Sequence, residues 1–196
     1  YIDHQLQEIS ADWGQFVSDQ CAELNIPCIV ETVKVQAGNL EHQARTVRYQ
    51  AYSKHLKPNE ILVLAHHQQD QAETLILRLL SGAGVQGLAA MKQVDIREQF
   101  TIWRPLLDIS REQICQWATQ LNVQNIEDPT NLDTHYDRAW CRHELWSVLQ
   151  NRYPKMQQAL SRTSYLMQDA DEILQEVLQQ DLALCGSATE INIKKI

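Results

Sequence analysis

Two carboxylates three residues apart, Asp70 and Glu73, follow the aliphatic run Ile61-Leu-Val-Leu-Ala65 and the pair His66-His67. On a helix this spacing sets both acids on one face, near the first turn. A helix N-terminus favours the charged carboxylate, a form suited to holding a cation or acting as a base. The same Asp-x-x-Glu pattern also makes a capping box headed by Asp70, and the residues alone leave both readings open. Adjacent histidines on an extended segment point to opposite sides, so His66 and His67 are not a chelating pair and no metal site is expected.

The elements that must hold these residues alternate in type. Trp13, Phe16 or Val17, Cys21 and Leu24 recur at three- and four-residue spacing, which predicts a helix from about Ser10. Cys28 to Val35 reads as a strand, residues 40–56 as a helix, and Ile61 to Ala65 as a short buried strand. The acids then fall on an amphipathic helix, 70–80, that ends at Gly82. Thr101-Ile-Trp103 is a further strand. Ser110-Arg-Glu-Gln113 forms a capping box with Ile114, Trp117 and Leu121 on one face behind it. From about residue 144 the pattern is helical, with Leu160, Met167, Ala170, Leu174 and Val177 marking one long helix that leaves the main domain. The last ten residues are too short to be a domain. Alternation of this kind points to parallel α/β, where ligands bind at the carboxyl ends of strands, which directs attention to the segment after Ala65.

Hydrophobic residues make up 44% of the 196, enough for a core, so wholesale disorder is excluded. The aliphatic runs are too short to span a membrane, and the start carries no signal peptide. Five cysteines without a C-x-x-C pair argue for a reducing compartment, the cytoplasm, rather than a disulfide framework or zinc ribbon. A net charge of −8 speaks against a broad nucleic-acid surface, yet nine Lys/Arg balance nine Asp/Glu over residues 92–162. RNA contact would therefore be local, with ordinary solvated arginines as the alternative.

His66-His-Gln-Gln-Asp-Gln-Ala-Glu-Thr74, with the following Gly82-Ala-Gly-Val-Gln-Gly-Leu-Ala-Ala-Met91, resembles the lysidine synthetases, a branch of the N-type ATP pyrophosphatase (PP-loop) superfamily. Other segments resemble that family in the same order. They are Tyr1-Ile-Asp-His-Gln-Leu, Glu41-His-Gln-Ala-Arg-Thr-Val-Arg-Tyr49, Arg104-Pro-Leu-Leu with Ser110-Arg-Glu, Ile126-Glu-Asp-Pro-Thr-Asn131, and Tyr136-Asp-Arg138 with Arg142.

The resemblance implies a PP-loop ATPase fold of the adenine nucleotide alpha hydrolase type, with residues 1–145 as the catalytic domain. Residues 146–196 become a helical linker toward a C-terminal substrate-binding domain. It implies an ATP-dependent ligase that adenylates C2 of the wobble cytidine of tRNA(Ile) with a CAU anticodon. Free L-lysine then displaces AMP to give lysidine. Asp70 and Glu73 would hold the lysine ammonium and take its proton, Arg45 would stabilise negative charge, and His67 would orient a carboxylate or touch the nucleotide. Asp3 and His4 fall at the ATP side, with Mg²⁺ accompanying the ATP. Arg48 stands second to Arg45 and, with Arg104, Asn131, Arg138 and Arg142, is expected on the tRNA. Trp103 and Trp140 either support the extruded base or, the reading preferred, pack in the core. The alternatives are a PP-loop tRNA 2-thiolation enzyme and a non-catalytic tRNA-binding remnant.

Departures from the family pattern carry their own expectations. The S-G-G-x-D-S phosphate loop has no counterpart here, and Gly82-Ala-Gly84 follows a helix rather than preceding one. The chain is therefore expected to lack a first strand and to be inactive alone, with a homodimer or reduced stability covering the open ladder. Gln69 replaces an Asp, Ser81 an Arg, and Ala139 an Asn.

Overall fold

The computed structural model describes residues 1–7, 9–35 and 40–185 of the protein. Strands and helices alternate as β1 (Ile2–Asp3), α1 (Ser10–Glu23), β2 (Glu31–Thr32), α2 (Leu40–His55), β3 (Ile61–Val63), α3 (Gln68–Leu80) and α4 (Val85–Leu88). β4 (Val94–Ile96), β5 (Thr101–Trp103) and α5 (Arg111–Gln120) follow. After a 3₁₀ turn at Pro129–Leu132 come α6 (Asp137–Trp140), a π turn at Cys141–Leu145, α7 (Trp146–Arg152) and α8 (Met156–Cys185). This is the α/β class expected, with a helical C-terminal segment. β1 and β2 pair in parallel, Ile2 opposite Glu31 and Asp3 opposite Thr32. β3, β5 and β4 form a second sheet in that order.

The chain divides into two compact units. The first comprises Tyr1–Leu62 and Ile96–Ile102. Here α1 lies on β1 through Gly14, where an added Cβ would meet Val30 at 3.3 Å and the Tyr1 ring at 3.4 Å. Ala44 and Ala51 form the buried face of α2. Tyr49 of α2 stacks on Phe100 at 6.4 Å and meets Tyr52 edge-on at 5.8 Å. Glu31 takes a hydrogen bond from Lys54 at 2.8 Å and pairs with His55, and these two hydrogen bonds, Lys54's first, hold its carboxyl below the usual range. Partial burial, then a hydrogen bond with Cys28, raises the Cys21 thiol.

The second unit comprises Val63–Asp95 and the chain from Trp103 onward, and α3 is its centre. Gln69 and every residue from Gln71 to Ile76 are buried. Ala72 and Ile76 pack with Cys141, Trp146 and Met156 to form the core. α3 ends in a Schellman turn: Gly82 N–H donates to Leu79 O and Ala83 N–H to Arg78 O, both at 3.0 Å, with Gly82 at φ 75°. Arg78 then donates to Gly87 O and Ala90 O at 2.8 and 3.0 Å, which folds α4 back onto α3. An added Cβ at Gly87 would lie 2.5 Å from the Ala83 Cβ, so that position needs glycine.

α8 packs on α3 and α4 through a polar seam. Gln71, fully buried, donates to Met91 O at 2.8 Å and Ser164 Oγ at 3.0 Å while accepting from Met91 N–H at 3.0 Å. Gln168 donates to Ala89 O and Met91 O at 2.8 and 3.0 Å. Tyr165 Oη donates to Asp108, and burial followed by this bond raises its phenol well above the ordinary range.

Several expectations are corrected. The strand expected over Cys28 to Val35 is paired only at Glu31–Thr32, because β1 offers two residues to pair with. β3 is not buried: it is an edge strand, with Ile61 and Val63 more than half exposed. The Ser110 capping box forms, with both bonds at 3.2 Å, but no residue of α5 is buried. The helix expected to leave the main domain packs on the core at its start, through Met156 and Leu160, with Ser161 and Ser164 also buried, while its markers Leu174 and Val177 lie exposed. Residues 187–196, expected to be too short for a domain, lie outside the described residues.

Candidate active site at the start of α3

α3 starts at Gln68, two residues before Asp70, with His67 as its N-cap residue in extended backbone. Asp70 is thus not the head of a capping box. It sits at the third helical position, where its Oδ2 accepts the His67 N–H at 3.0 Å. The carboxylate closes the helix start through Oδ2, from the third position rather than as the cap residue, while Oδ1 faces Arg142 at 3.6 Å. The His67 ring nitrogen Nε2 stands 3.6 Å from Asp70 Oδ2. Its Nδ1 is buried with no hydrogen-bond partner among the described residues. A buried ring nitrogen beside a carboxylate, left unpaired by the protein, is a polar position suited to a ligand.

Glu73 lies one turn further in and is fully buried. A buried carboxylate survives only when its charge is matched. Here Arg142 grips it in two parallel bonds, Nε to Oε1 and Nη2 to Oε2, both 2.9 Å. Gln69 Nε2 adds a third at 3.0 Å to Oε1. An Asp at position 69 would have no donor for Glu73, so this departure from the family pattern supports the buried charge. Arg142 also stands 3.6 Å from Asp70 Oδ1, one cation touching both acids. Hydrogen bonding to Glu73 raises the Arg142 guanidinium further above its ordinary value, so it is always charged.

The π turn at Cys141–Leu145 places this arginine. Trp146 N–H reaches back five residues to Cys141 O, inserting one residue into the helix that runs from Asp137 to Arg152. Ala139, Cys141 and Trp146 face the core, Arg142 meets Glu73, and Arg138 Nη2 donates to Thr74 Oγ1 at 3.2 Å. Burial, then the charge on Glu73, pushes the Cys141 thiol up to about 11. It remains protonated near neutral pH and is a poor nucleophile for sulfur transfer.

The other expected site residues are placed as follows. Arg104, expected on RNA, is only 2% exposed. Its Nη1 donates to Lys92 O at 2.7 Å and its Nη2 lies 3.7 Å from Asp95. It fastens β5 to the strand beside it instead of reaching outward. Asn131 is exposed in the 3₁₀ turn, its carbonyl facing His143 Nε2 at 2.8 Å. Trp103 and Trp140, preferred as core residues, are 44% and 40% exposed. The core tryptophan is Trp146.

In the first unit, Asp3 is buried at the end of β1 and accepts the Gln5 N–H at 2.9 Å. His4 Nε2 accepts from Arg48 Nε at 3.1 Å. Burial first, then Arg48, lowers the His4 imidazole below its ordinary value against the pull of Asp3, so the ring is neutral. Accepting through Nε2 puts its proton on Nδ1, a buried donor with no partner among the described residues. Such a donor can serve an acceptor atom of a bound ligand. Arg45 lies over the Tyr49 ring, 4.9 Å from its centre. Among the described residues, no group of three or more His, Cys, Asp or Glu could hold a metal ion. No described helix is long and apolar enough to cross a membrane.

Sequence reasoning ranked Arg142 and Arg104 as RNA contacts and overlooked Gln69 and Gln71 as structural donors. The one available signal for Gln71 was its place between the two acids. Comparison with known proteins agrees with this architecture. The chain is 57% identical to a tRNA(Ile)-lysidine synthase of Acinetobacter baylyi over 196 residues, all of this chain and 43% of that protein. A tRNA(Ile)-lysidine synthase of Haemophilus ducreyi is 39% identical over 183 residues, 93% of this chain and 43% of the relative. The chain thus spans less than half the length of these curated relatives. Among solved structures, the U34-tRNA thiolase NcsA from Methanococcus maripaludis with its [4Fe-4S] cluster shares the fold at a TM-score of 0.61 and 14% identity. That match covers 85% of this chain and 61% of that one. The PP-loop domain model matches residues 1–149, and the chain belongs to that family.

Proposed function

We propose that this protein ligates lysine to C2 of the wobble cytidine of tRNA(Ile) bearing a CAU anticodon, consuming ATP and forming lysidine. The observation that supports this best is the carboxylate pair at the start of α3, with Asp70 Oδ1 only loosely paired to Arg142 at 3.6 Å and Glu73 sealed by Arg142 and Gln69. Of the two acids, Asp70 is the one positioned to hold a lysine ammonium and accept its proton at Oδ1. Glu73 acts through Arg142, keeping that cation 3.6 Å from Asp70 Oδ1. His67 Nδ1 offers a polar contact to the substrate. ATP supplies the adenylate that makes the C2 oxygen a leaving group, and His4 Nδ1 with Asp3 would contact the nucleotide. Mg²⁺ would accompany the ATP phosphates. Arg45 and Arg48 would meet negative charge on nucleotide or RNA, and Arg138 and Asn131 would contact the tRNA. Residues 1–145 are read as the catalytic domain and 146–196 as the helical segment that follows it. The partners are then tRNA and free L-lysine in the cytoplasm, with a homodimer testable by sedimentation.

The test is a chimera in which this chain replaces its matched segment of the Acinetobacter baylyi relative. Incubated with ATP, lysine and a CAU-anticodon tRNA, it should add one lysine to the wobble cytidine by mass spectrometry. Asp70→Ala should abolish the product while circular dichroism stays unchanged. Sulfur in place of lysine, or full activity in Asp70→Ala, would refute the reading.

A further inference from the structure

An anion site of different make-up lies within the first unit. Tyr49 on α2 and Phe100 at the β4–β5 turn stack on one another and floor a cleft of about 590 Å³. Arg45 and Arg97 both stand over the Tyr49 ring, each with its guanidinium carbon 4.9 Å from the ring centre. The two cationic groups are therefore separated by no more than twice that distance. Both side chains are exposed, His42 joins them on the rim, and among the described residues Glu98 is the one carboxylate of the lining. In a protein with net charge −8, this places two guanidinium groups together around one aromatic platform.

We propose that this cleft binds a backbone phosphodiester of an RNA strand. Guanidinium forks fix phosphate oxygens in pairs, and a ring beneath them limits their rotamers so that little freedom is lost on binding. An acidic protein that acts on RNA needs such local sites, because its overall field repels the polyanion. The aromatic floor adds an apolar surface for the ribose beside the phosphate. A free nucleotide or pyrophosphate shares the phosphate chemistry, and the test separates these sources. The inference rests on the reading that the protein acts on tRNA, and it adds Arg97, which lies outside the family motifs, as an RNA-facing residue beside Tyr49.

The experiment follows binding of fluorescein-labelled CAU-anticodon tRNA to this chain by anisotropy, from low to moderate salt. Arg97→Gln should weaken binding about tenfold and reduce the slope of log K against log salt by about one, the signature of one lost phosphate contact. Arg97→Lys, which keeps the charge, should recover part of both, which a purely structural role for Arg97 would not produce. Pyrophosphate binding, followed by calorimetry, should be the same in wild type and Arg97→Gln. Unchanged tRNA affinity and slope in Arg97→Gln would overturn the proposal. So would loss of pyrophosphate binding with tRNA binding intact, which would make the cleft a nucleotide-phosphate site. Failure of the wild-type chain to bind tRNA at all would overturn the tRNA reading itself together with this inference.

Discussion

Arg142→Met isolates the ion pair at the centre of the site. The substitution keeps the aliphatic stem and removes both bonds to Glu73, leaving a fully buried carboxylate with only the Gln69 amide. Removing one partner of a buried pair costs about 3–5 kcal/mol, chiefly for the stranded charge. The Arg142 side chain is 24% exposed, so part of its hydration is retained in the native protein, and Gln69 still serves Glu73. Both considerations favour the lower end, about 3 kcal/mol, or a fall in melting temperature of about 6–12 °C for a protein of this size. Urea unfolding followed by tryptophan fluorescence reads the change directly, since Trp140 and Trp146 flank the arginine. The double variant Arg142→Met/Glu73→Met should recover most of the loss, because no charge is then stranded. A loss below about 1 kcal/mol in the single variant, or no recovery in the double, would refute the view that Arg142 neutralises a buried charge.

Two other outcomes follow from geometry and charge. Gly82→Ala should cost about 1–2 kcal/mol, because φ 75° disfavours a side chain although nothing stands within 4 Å of the added Cβ. Gly87→Ala should cost more, through the 2.5 Å approach to Ala83, and the order of the two in urea unfolding checks the assignment. His4 titrates below its ordinary value in the fold, so the unfolded chain binds a proton first as pH falls. Stability should therefore decline as pH drops below about 6.5, and His4→Asn should remove that part of the pH dependence of melting.

The local features were legible in the sequence, and the distant pairings were not. Spacing alone identified α3, its end at Gly82, the Ser110 cap and the shared face of Asp70 and Glu73, because each depends on neighbours within about one helical turn. The three-residue strand β4 went unread, since three residues show too little alternation to register. Nothing near Arg142 announced that its partner was Glu73, 69 residues earlier, rather than RNA. Arg104 misled for the same reason: an arginine's task depends on whether a carbonyl such as that of Lys92 lies within reach. The apolar periodicity of α8 marked the helix and included Leu160, which packs on the core, but it gave no sign that Ser164 and Gln168 would also dock it against Gln71 and the loop after α4. Small polar side chains carry no hydrophobic signal.

That polar seam also settles how α8 responds to force. The Gln71 bond to Ser164 Oγ and the Gln168 bonds to the Ala89 and Met91 carbonyls are directional, so they fix rotation and axial position more tightly than the apolar contact of Met156 alone. From Ser164 to Cys185 the helix runs on for roughly 30 Å, at 1.5 Å per residue, with Gln168 and Glu172 still tied to Ala89, Met91 and Lys92. A tilt of about 5° at Gln71 would move the far end by about 3 Å, from the same rise per residue. Gln71 lies between Asp70 and Glu73 on the same helix, so one turn of α3 carries both the carboxylates and an anchor of α8.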